Sequence, residues 1–132
     1  MYGSLDISTS ALTANRVLLE VISSNLANKD AILNDQGEYE PFRRRIAMLA
    51  AGTDGESEGV RVSEIQLDES PLQPKYEPSS QYADADGYVY YPNVNPVIEQ
   101  MNAMIAQRSY EANVAAIEAT KSMYGIALQM IG

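Results

Sequence analysis

The side chains available for chemistry are carboxylates, lysines, tyrosines and serines, because the 132-residue sequence contains no Cys, His or Trp. Without Cys or His, the chain cannot build a structural zinc site, a haem ligand set, a Cys nucleophile or a His-based triad. Glu56 and Glu58 are spaced as paired carboxylates, but the glycine-rich loop around them lacks the apolar surroundings that general-acid catalysis needs. We therefore predict that the chain is not an enzyme and has no catalytic, cofactor or metal residues.

Two further segments resemble ligand sites in part. Asp84, Asp86 and Gly87 have the spacing of a calcium loop, but Tyr82 stands at the first ligand position and Asn93 at the closing one. We interpret this segment as a turn leading into a strand. The loop GTDGESEG at 52–59 has three glycines but no lysine and three acids, so it is predicted to be a hairpin tip rather than a phosphate site.

The charge of the chain excludes several partners. A net charge of −9 argues against nucleic acid and against an anionic membrane, since both need Lys and Arg to neutralise phosphates. No stretch approaches the roughly 20 apolar residues of a membrane span, and the N-terminus has no basic region leading into an apolar run. We predict no direct membrane insertion, and any export should need no cleaved signal peptide.

The N-terminal segment is predicted to be an amphipathic helix with an unusually wide apolar surface. One stripe has spacings of four and three, and a second recurs every seven residues. The stripes consist of Ile7, Ala11, Ala14, Leu18, Val21 and Asn25, and of Leu5, Leu12, Leu19 and Leu26. Together they cover more than half of the circumference, so one packing partner cannot cover this helix.

The C-terminal third is predicted to be a second helix, with Asn95 as N-cap and Pro96 at the first helical position. Its first stripe comprises Ile98, Met101, Ile105, Ala112, Ala115, Ala119, Ile126 and Met130, interrupted by Arg108. Its second comprises Val114, Ile117, Tyr124, Leu128 and Ile131. At about 1.5 Å per residue, a helix over 96–131 would be roughly 54 Å long, too long for a compact domain of this size.

The middle of the chain carries most of the charge and the turn signals. Residues 31–95 hold twelve acids and five bases, a net charge of −7. Strands are predicted at 42–50, 59–67 and 87–91, whereas segment 71–81, with three prolines, is predicted to be an extended arm or loop. Arg43, Arg44 and Arg45 should pair with surrounding acids, and the six tyrosines of this region should contact protein.

These patterns predict an α+β fold. Long N- and C-terminal helices, at 1–30 and 96–132, should form an antiparallel pair resembling a coiled coil. A small β-rich acidic domain at 31–95, with an extended loop, should be inserted between them.

Two terminal segments resemble the signatures of the flagellar axial proteins. VISSNLAN at 21–28 is similar to the N-terminal signature, with Ser24 replacing an Asn and Lys29 and Asp30 replacing the usual Thr and Gly. RSYEANVAAIEATKSM at 108–123 is similar to the C-terminal signature. GVRVSEI at 59–65 and DADGYVYYPNVNPV at 84–97 resemble segments that mark a proximal-rod member of this family.

The resemblance implies a structural subunit of the flagellar proximal rod in the basal body, self- and hetero-assembling into a helical tube through its terminal helices. It implies export as an unfolded chain through the flagellar type III export apparatus, and assembly in the periplasm. The implied partners are other rod subunits, membrane-ring and export-gate adaptor proteins at the rod base, and the distal rod. Two alternatives stay open: a sibling axial protein of the distal rod or hook, and a soluble coiled-coil binding module forming a closed bundle.

The resemblance and the apolar stripes together predict the assembly residues. On the first helix they are Leu12, Leu18, Ile22, Asn25, Leu26 and Asn28. On the second they are Met101, Ile105, Arg108, Tyr110, Glu111, Asn113, Ile117, Tyr124 and Leu128.

Four of the predicted residues have more specific hypotheses. Asn25 should be buried, hydrogen-bonded and able to fix the register of the helix, and Asn28 should adopt a left-handed C-cap. Phe42 and Ile46 are similar to an export-gate recognition motif, although a pair of strand core residues is the alternative interpretation.

Overall fold

The computed structural model describes residues 2–53 and 56–131 and confirms the predicted α+β architecture. In chain order the elements are α1 (Tyr2–Ala27), β1 (Arg45–Thr53), β2 (Glu56–Leu67), β3 (Gln73–Tyr76), β4 (Tyr88–Tyr91) and α2 (Pro96–Ile131). Within the described residues, neither helix combines the length and the apolar character that crossing a membrane would require.

The two helices run antiparallel. Asn25 Nδ2 donates to Glu99 Oε2 at 3.3 Å, and ten residues earlier in α1 Asn15 Nδ2 donates to Ser109 Oγ at 3.0 Å. The start of α2 follows the predicted cap, since Asn95 Oδ1 accepts from the backbone N–H of Val97 at 3.0 Å. The antiparallel pairing places the last turns of α2 beside and beyond the N-terminus of α1.

α1 lies between α2 and a β-hairpin, which explains its wide apolar surface. β1 and β2 pair antiparallel from Arg45 opposite Leu67 to Thr53 opposite Glu56, with irregularities in register after Met48 and Ala51. The hairpin contacts α1 along its length, and the backbone N–H of Val60 donates to Ser10 Oγ at 3.1 Å. Two partners within the chain, α2 and the hairpin, therefore pack on α1, as its wide apolar surface predicts.

The first strand begins three residues later than predicted. Phe42 lies before β1, and its backbone N–H donates to the carbonyl of Ala31 at 3.0 Å. The N–H of Arg44 is likewise used outside the ladder, donating to Asn93 Oδ1 at 2.8 Å. The interpretation of Phe42 and Ile46 as a pair on one strand is therefore wrong. The hairpin tip predicted at 52–59 is shorter in the structure, because β1 continues to Thr53 and β2 starts at Glu56; residues 54 and 55 lie outside the described residues.

The proline-rich segment contains a strand that the sequence analysis missed. β3 pairs antiparallel with β4, from Gln73 opposite Tyr91 to Tyr76 opposite Tyr88. All four residues of β3 are exposed, and β3 is one strand of a two-stranded sheet. At the outer edge of such a strand, the missing N–H of Pro74 does not remove a hydrogen bond to β4. The prediction of an arm without a strand at 71–81 is corrected accordingly.

A tight turn precedes β4, as predicted. Asp84 Oδ1 accepts hydrogen bonds from the backbone N–H groups of Asp86 and Tyr88, each at 2.9 Å. Gly87 follows with a φ of 88°, a conformation that residues with a side chain rarely adopt. In the described part of the chain, no group of three or more acidic side chains is arranged to hold a metal ion.

Gly87→Ala is expected to lower the free energy of unfolding by about 1–3 kcal/mol. The new Cβ would lie 2.9 Å from Tyr76 Cε2 and 3.3 Å from Pro78 Cβ, in addition to the positive φ. Gly37→Ala is the matched control, because Gly37 has a φ of 80° but nothing within 4 Å of an added Cβ. Urea unfolding of both variants measures the difference, and equal losses would show that the contact with Tyr76 is unimportant.

Candidate assembly surface

The first stripe of α2 faces solvent. Every large residue of the stripe is more than half exposed: Ile98 (51%), Met101 (56%), Ile105 (64%), Ile126 (59%) and Met130 (83%). Arg108 and the alanines at 112, 115 and 119 are also exposed. Met123, 63% exposed, extends the same line of residues. We call this set of residues the α2 stripe.

A second set of α2 positions is turned away from solvent. Glu99 and Ala106 are buried, and Asn113, Ile117 and Tyr124 are half-buried. At about 100° per residue these positions lie roughly a third of a turn from the α2 stripe. Of the second predicted stripe, Val114, Ile117 and Tyr124 are half-buried, whereas Leu128 and Ile131 are exposed.

The final turns of α2 are the most exposed apolar part of the helix. Leu128 is 67% exposed and Ile131 is 85% exposed, and the sequence contains no charged residue after Lys121. Their neighbours Tyr124 and Ala127 are half-buried. An uncharged helix end with this exposure lacks the polar outer face that a surface helix normally has.

The predicted assembly residues fall into two groups. Six on α2 are exposed: Met101, Ile105, Arg108, Tyr110, Glu111 and Leu128. The others are half-buried or buried within the chain: Leu12, Leu18, Ile22, Asn25, Leu26, Asn28, Asn113, Ile117 and Tyr124. Phe42 and Ile46 are half-buried, and the guanidinium of Arg45 lies 5.4 Å from the centre of the Phe42 ring. A role of these two residues in export stays a prediction.

Asn25 is buried and hydrogen-bonded, as predicted. The residue is 1% exposed, and its side chain meets the first residue of β1 in both directions. Arg45 N–H donates to Asn25 Oδ1 at 2.9 Å, and Asn25 Nδ2 donates to the Arg45 carbonyl at 2.9 Å. The carboxamide therefore substitutes for a peptide group beside the strand. Only a side chain with one donor and one acceptor in this geometry makes both bonds.

Asn28 caps α1 in a different way from the one predicted. None of the described residues other than glycine has a positive φ, so the predicted left-handed C-cap at Asn28 is wrong. Asn28 Nδ2 instead donates to the Ser24 carbonyl at 2.8 Å, and its backbone N–H donates to the same oxygen at 3.1 Å. The side chain thus adds a second hydrogen bond to a carbonyl that already accepts the helical bond from the Asn28 backbone.

A buried ion pair lies next to Asn25. Glu99, 1% exposed, accepts a hydrogen bond from Arg44 Nε, and Arg44 Nη1 lies 3.3 Å from Asp68 Oδ2. Asn93 Nδ2 donates to the Asp68 carbonyl at 3.0 Å. We call Asn25, Arg44, Asp68, Asn93 and Glu99 the polar junction. Among the described residues, no buried side-chain nitrogen or oxygen lacks a partner.

The pKa shifts in the polar junction follow from these contacts. Burial lowers the pKa of Arg44, but its hydrogen bonds and ionic contacts with Glu99 and Asp68 raise that pKa by more. Hydrogen bonds from Ser70 and from Arg44 hold the pKa of Asp68 below its usual value. The charged forms of Arg44 and Asp68 are therefore favoured. The pairing predicted for the arginine run holds for Arg44, but the sequence did not indicate that Glu99 is its buried partner.

Comparison with known proteins agrees with this arrangement of terminal helices. A family model described as "Flagella basal body rod protein" matches residues 5–30, and one described as "Flagellar basal body rod FlgEFG protein C-terminal" matches residues 85–130. The chain is 41% identical to the flagellar basal-body rod protein FlgC of Bacillus subtilis (strain 168), over 98% of this chain and 97% of the relative.

Two further relatives carry the same name. The chain is 40% identical to the FlgC of Escherichia coli O157:H7 over 89% of this chain and 88% of the relative. It is 35% identical to that of Borreliella burgdorferi over 99% of this chain and 97% of the relative. The chain therefore belongs to the family of the flagellar basal-body rod protein FlgC.

Proposed function

We propose that this chain, a structural rod subunit by family, is a non-catalytic component of the proximal rod and joins its neighbours through the α2 stripe. The observation that carries the proposal is the exposure of apolar side chains from Ile98 to Met130 on one side of α2, interrupted only by Arg108 among the described residues of the stripe. Soluble monomers rarely expose a contiguous apolar surface of this extent unless a partner covers it. Covering each large side chain stabilises a contact by about 1.5–3 kcal/mol.

A second exposed apolar surface supports assembly into a tube rather than a closed pair. The hairpin exposes Leu49 (49%), Ile65 (53%) and Leu67 (58%). Among the described residues the hairpin packs on α1, so these three side chains lie on a different element from the α2 stripe. Two dissimilar surfaces on one subunit permit head-to-tail contacts, and when the rotation between subunits does not close, such contacts build a helical assembly.

The proposed partners are other rod subunits, membrane-ring and export-gate adaptor proteins at the rod base, and the distal rod. The proposed location is the periplasmic part of the basal body, reached as an unfolded chain through the flagellar type III export apparatus. Membership of the rod family supports these assignments. The exposed stripe favours them over a closed-bundle binding module, whose helices would cover their apolar residues within the chain.

Met101→Glu tests the proposed role of the α2 stripe. The carboxylate would enter the covered interface, and the lost apolar contact corresponds to about a ten- to hundredfold weaker association of subunits. We expect cells that carry only this variant to lose swimming and to yield basal bodies depleted of the subunit. Quantitative mass spectrometry of isolated basal bodies, with circular dichroism of the purified chain, checks both assembly and fold.

Gln100→Glu is the matched control. It adds the same side chain one residue earlier, at an exposed position about 100° around the helix from the stripe. The control should assemble and swim as the unsubstituted chain does. Normal incorporation of Met101→Glu would contradict the proposal.

A further inference from the structure

The two ends of the helix pair differ in how well they are buried. All the buried positions of α1 lie between Ala14 and Asn25, and those of α2 lie between Glu99 and Ala106. Over 3–13 and 107–131 no described side chain is buried. The junction end of the pair is therefore held by tertiary contacts, whereas the opposite end has only half-buried and exposed contacts.

The polar junction lies at the buried end and joins segments that are distant in sequence. Asn25 closes α1, Arg44 leads into β1, and Glu99 belongs to the first turns of α2. Arg44 contacts Glu99 and Asp68, and Asn25 binds both Glu99 and the backbone of Arg45. Arg44 and Asp68 both belong to the middle region, whereas the contacts of Glu99 with Arg44 and Asn25 form only when α2 meets the middle region and α1.

We propose that the polar junction is a folding latch, which orders residues 14–27 of α1 and 96–106 of α2 against the middle region in the isolated chain. In the isolated chain, the amides of residues 2–13 and 107–131 stay weakly protected against hydrogen exchange. The inference goes beyond the assembly role of the α2 stripe, because it concerns a single chain without neighbours. It divides each terminal helix into a part that folds with the middle region and a part that does not.

The physical basis is the difference between buried charge and partly exposed apolar contact. A buried carboxylate with a hydrogen-bonded cation is strongly destabilised when either partner is missing, so the junction forms as a unit or not at all. A helix segment without buried contacts depends on its own propensity, and short segments of this kind are marginal in water. The boundary between the strongly and the weakly protected part of each helix should fall near Ala14 in α1 and Ala106 in α2.

Amide hydrogen exchange of the isolated full chain at dilute concentration, read by mass spectrometry of its peptides, tests the latch. Peptides covering 14–27 and 96–106 should exchange at least about a hundredfold more slowly than peptides covering 2–13 and 107–131. Glu99→Gln, which keeps the shape but removes the charge facing Arg44, should raise exchange of the first two peptides by about a hundredfold. Glu118→Gln is the control, because Glu118 is exposed on the same helix.

Three results would overturn the proposal. Uniform exchange along each helix of the unsubstituted chain, whether fast or slow, would remove the two-part division. Equal effects of Glu99→Gln and Glu118→Gln would remove the polar junction as its cause. If Glu99→Gln unfolds completely, Arg44→Lys keeps the cation and should raise exchange first in 14–27 and 96–106; an increase confined to other segments would contradict the latch.

Discussion

Arg44→Ala is expected to lower the free energy of unfolding by about 3–5 kcal/mol, because it leaves the carboxylate of Glu99 buried without its cation. Glu99 is 1% exposed, and the side chain of Arg44 makes ion pairs with Glu99 and Asp68. The backbone bonds of Arg44 to Asn93 and Asp68 survive the substitution, so the loss reports on the guanidinium. Urea unfolding followed by circular dichroism measures it directly.

The double variant Arg44→Met with Glu99→Leu separates the value of the ion pair from the penalty of breaking it. Replacing both charges with apolar side chains should recover most of the stability lost in Arg44→Ala, since no fully buried charge is left without a partner and Asp68 is partly exposed to solvent. Arg61→Ala, at an exposed position of β2, is the control and should change the free energy of unfolding by less than about 1 kcal/mol. A loss in Arg44→Ala as small as that in Arg61→Ala would contradict the assignment of a buried pair.

Asn25→Asp is expected to cost at least about 3 kcal/mol although it preserves the shape of the side chain. The oxygen that replaces Nδ2 would face the Arg45 carbonyl at 2.9 Å and would lie near Glu99 Oε2, now 3.3 Å from Nδ2. A hydrogen-bond donor would thus become an acceptor beside two acceptors, and the buried pair of carboxyl groups would either repel each other or take up a proton at a free-energy cost. Urea unfolding near neutral pH is the measurement.

Asn113→Asp controls for the change from amide to carboxylate. Asn113 Nδ2 also donates to a backbone carbonyl, that of Ser109 at 2.8 Å, but this bond is exposed to solvent. Asn113→Asp should therefore lower the free energy of unfolding by much less than Asn25→Asp. For the proposed register role, Asn25→Leu is the second variant, and unchanged assembly and motility in cells carrying it would contradict that role.

The helices were predictable because their signals are local. Asn95 and Pro96 mark the start of α2 by capping chemistry, and the absence of later prolines allows it to continue to Ile131. The stripes follow from the helical period alone. The period does not tell which stripe a partner covers, because both are apolar; only the tertiary arrangement shows that Ile117 turns toward α1 and Met101 does not.

The errors arose where contacts distant in sequence override local preference. Phe42 lies in a β-rich composition, yet its backbone N–H donates to Ala31, so the strand begins only at Arg45. The proline-rich segment forms β3 because β4 offers it a partner strand. Neither of these partners can be read from the segment itself. Asn28 is the exception, because its amide donates to the carbonyl of Ser24, only four residues earlier, instead of forming a left-handed cap.

The alanines at the centre of the α2 stripe have a consequence for the dimensions of the rod. Ala112, Ala115 and Ala119 lie between bulky groups, with Ile105 on one side and Ile126 on the other. If the α2 stripe is the contact between subunits, a helix packed on these alanines would approach to the short end of the usual 8–10 Å range, and the flanking side chains would prevent it from sliding along the axis. The smallest side chains would then set the spacing between subunits. A drive shaft built on such contacts would transmit torque with little relative movement between adjacent helices.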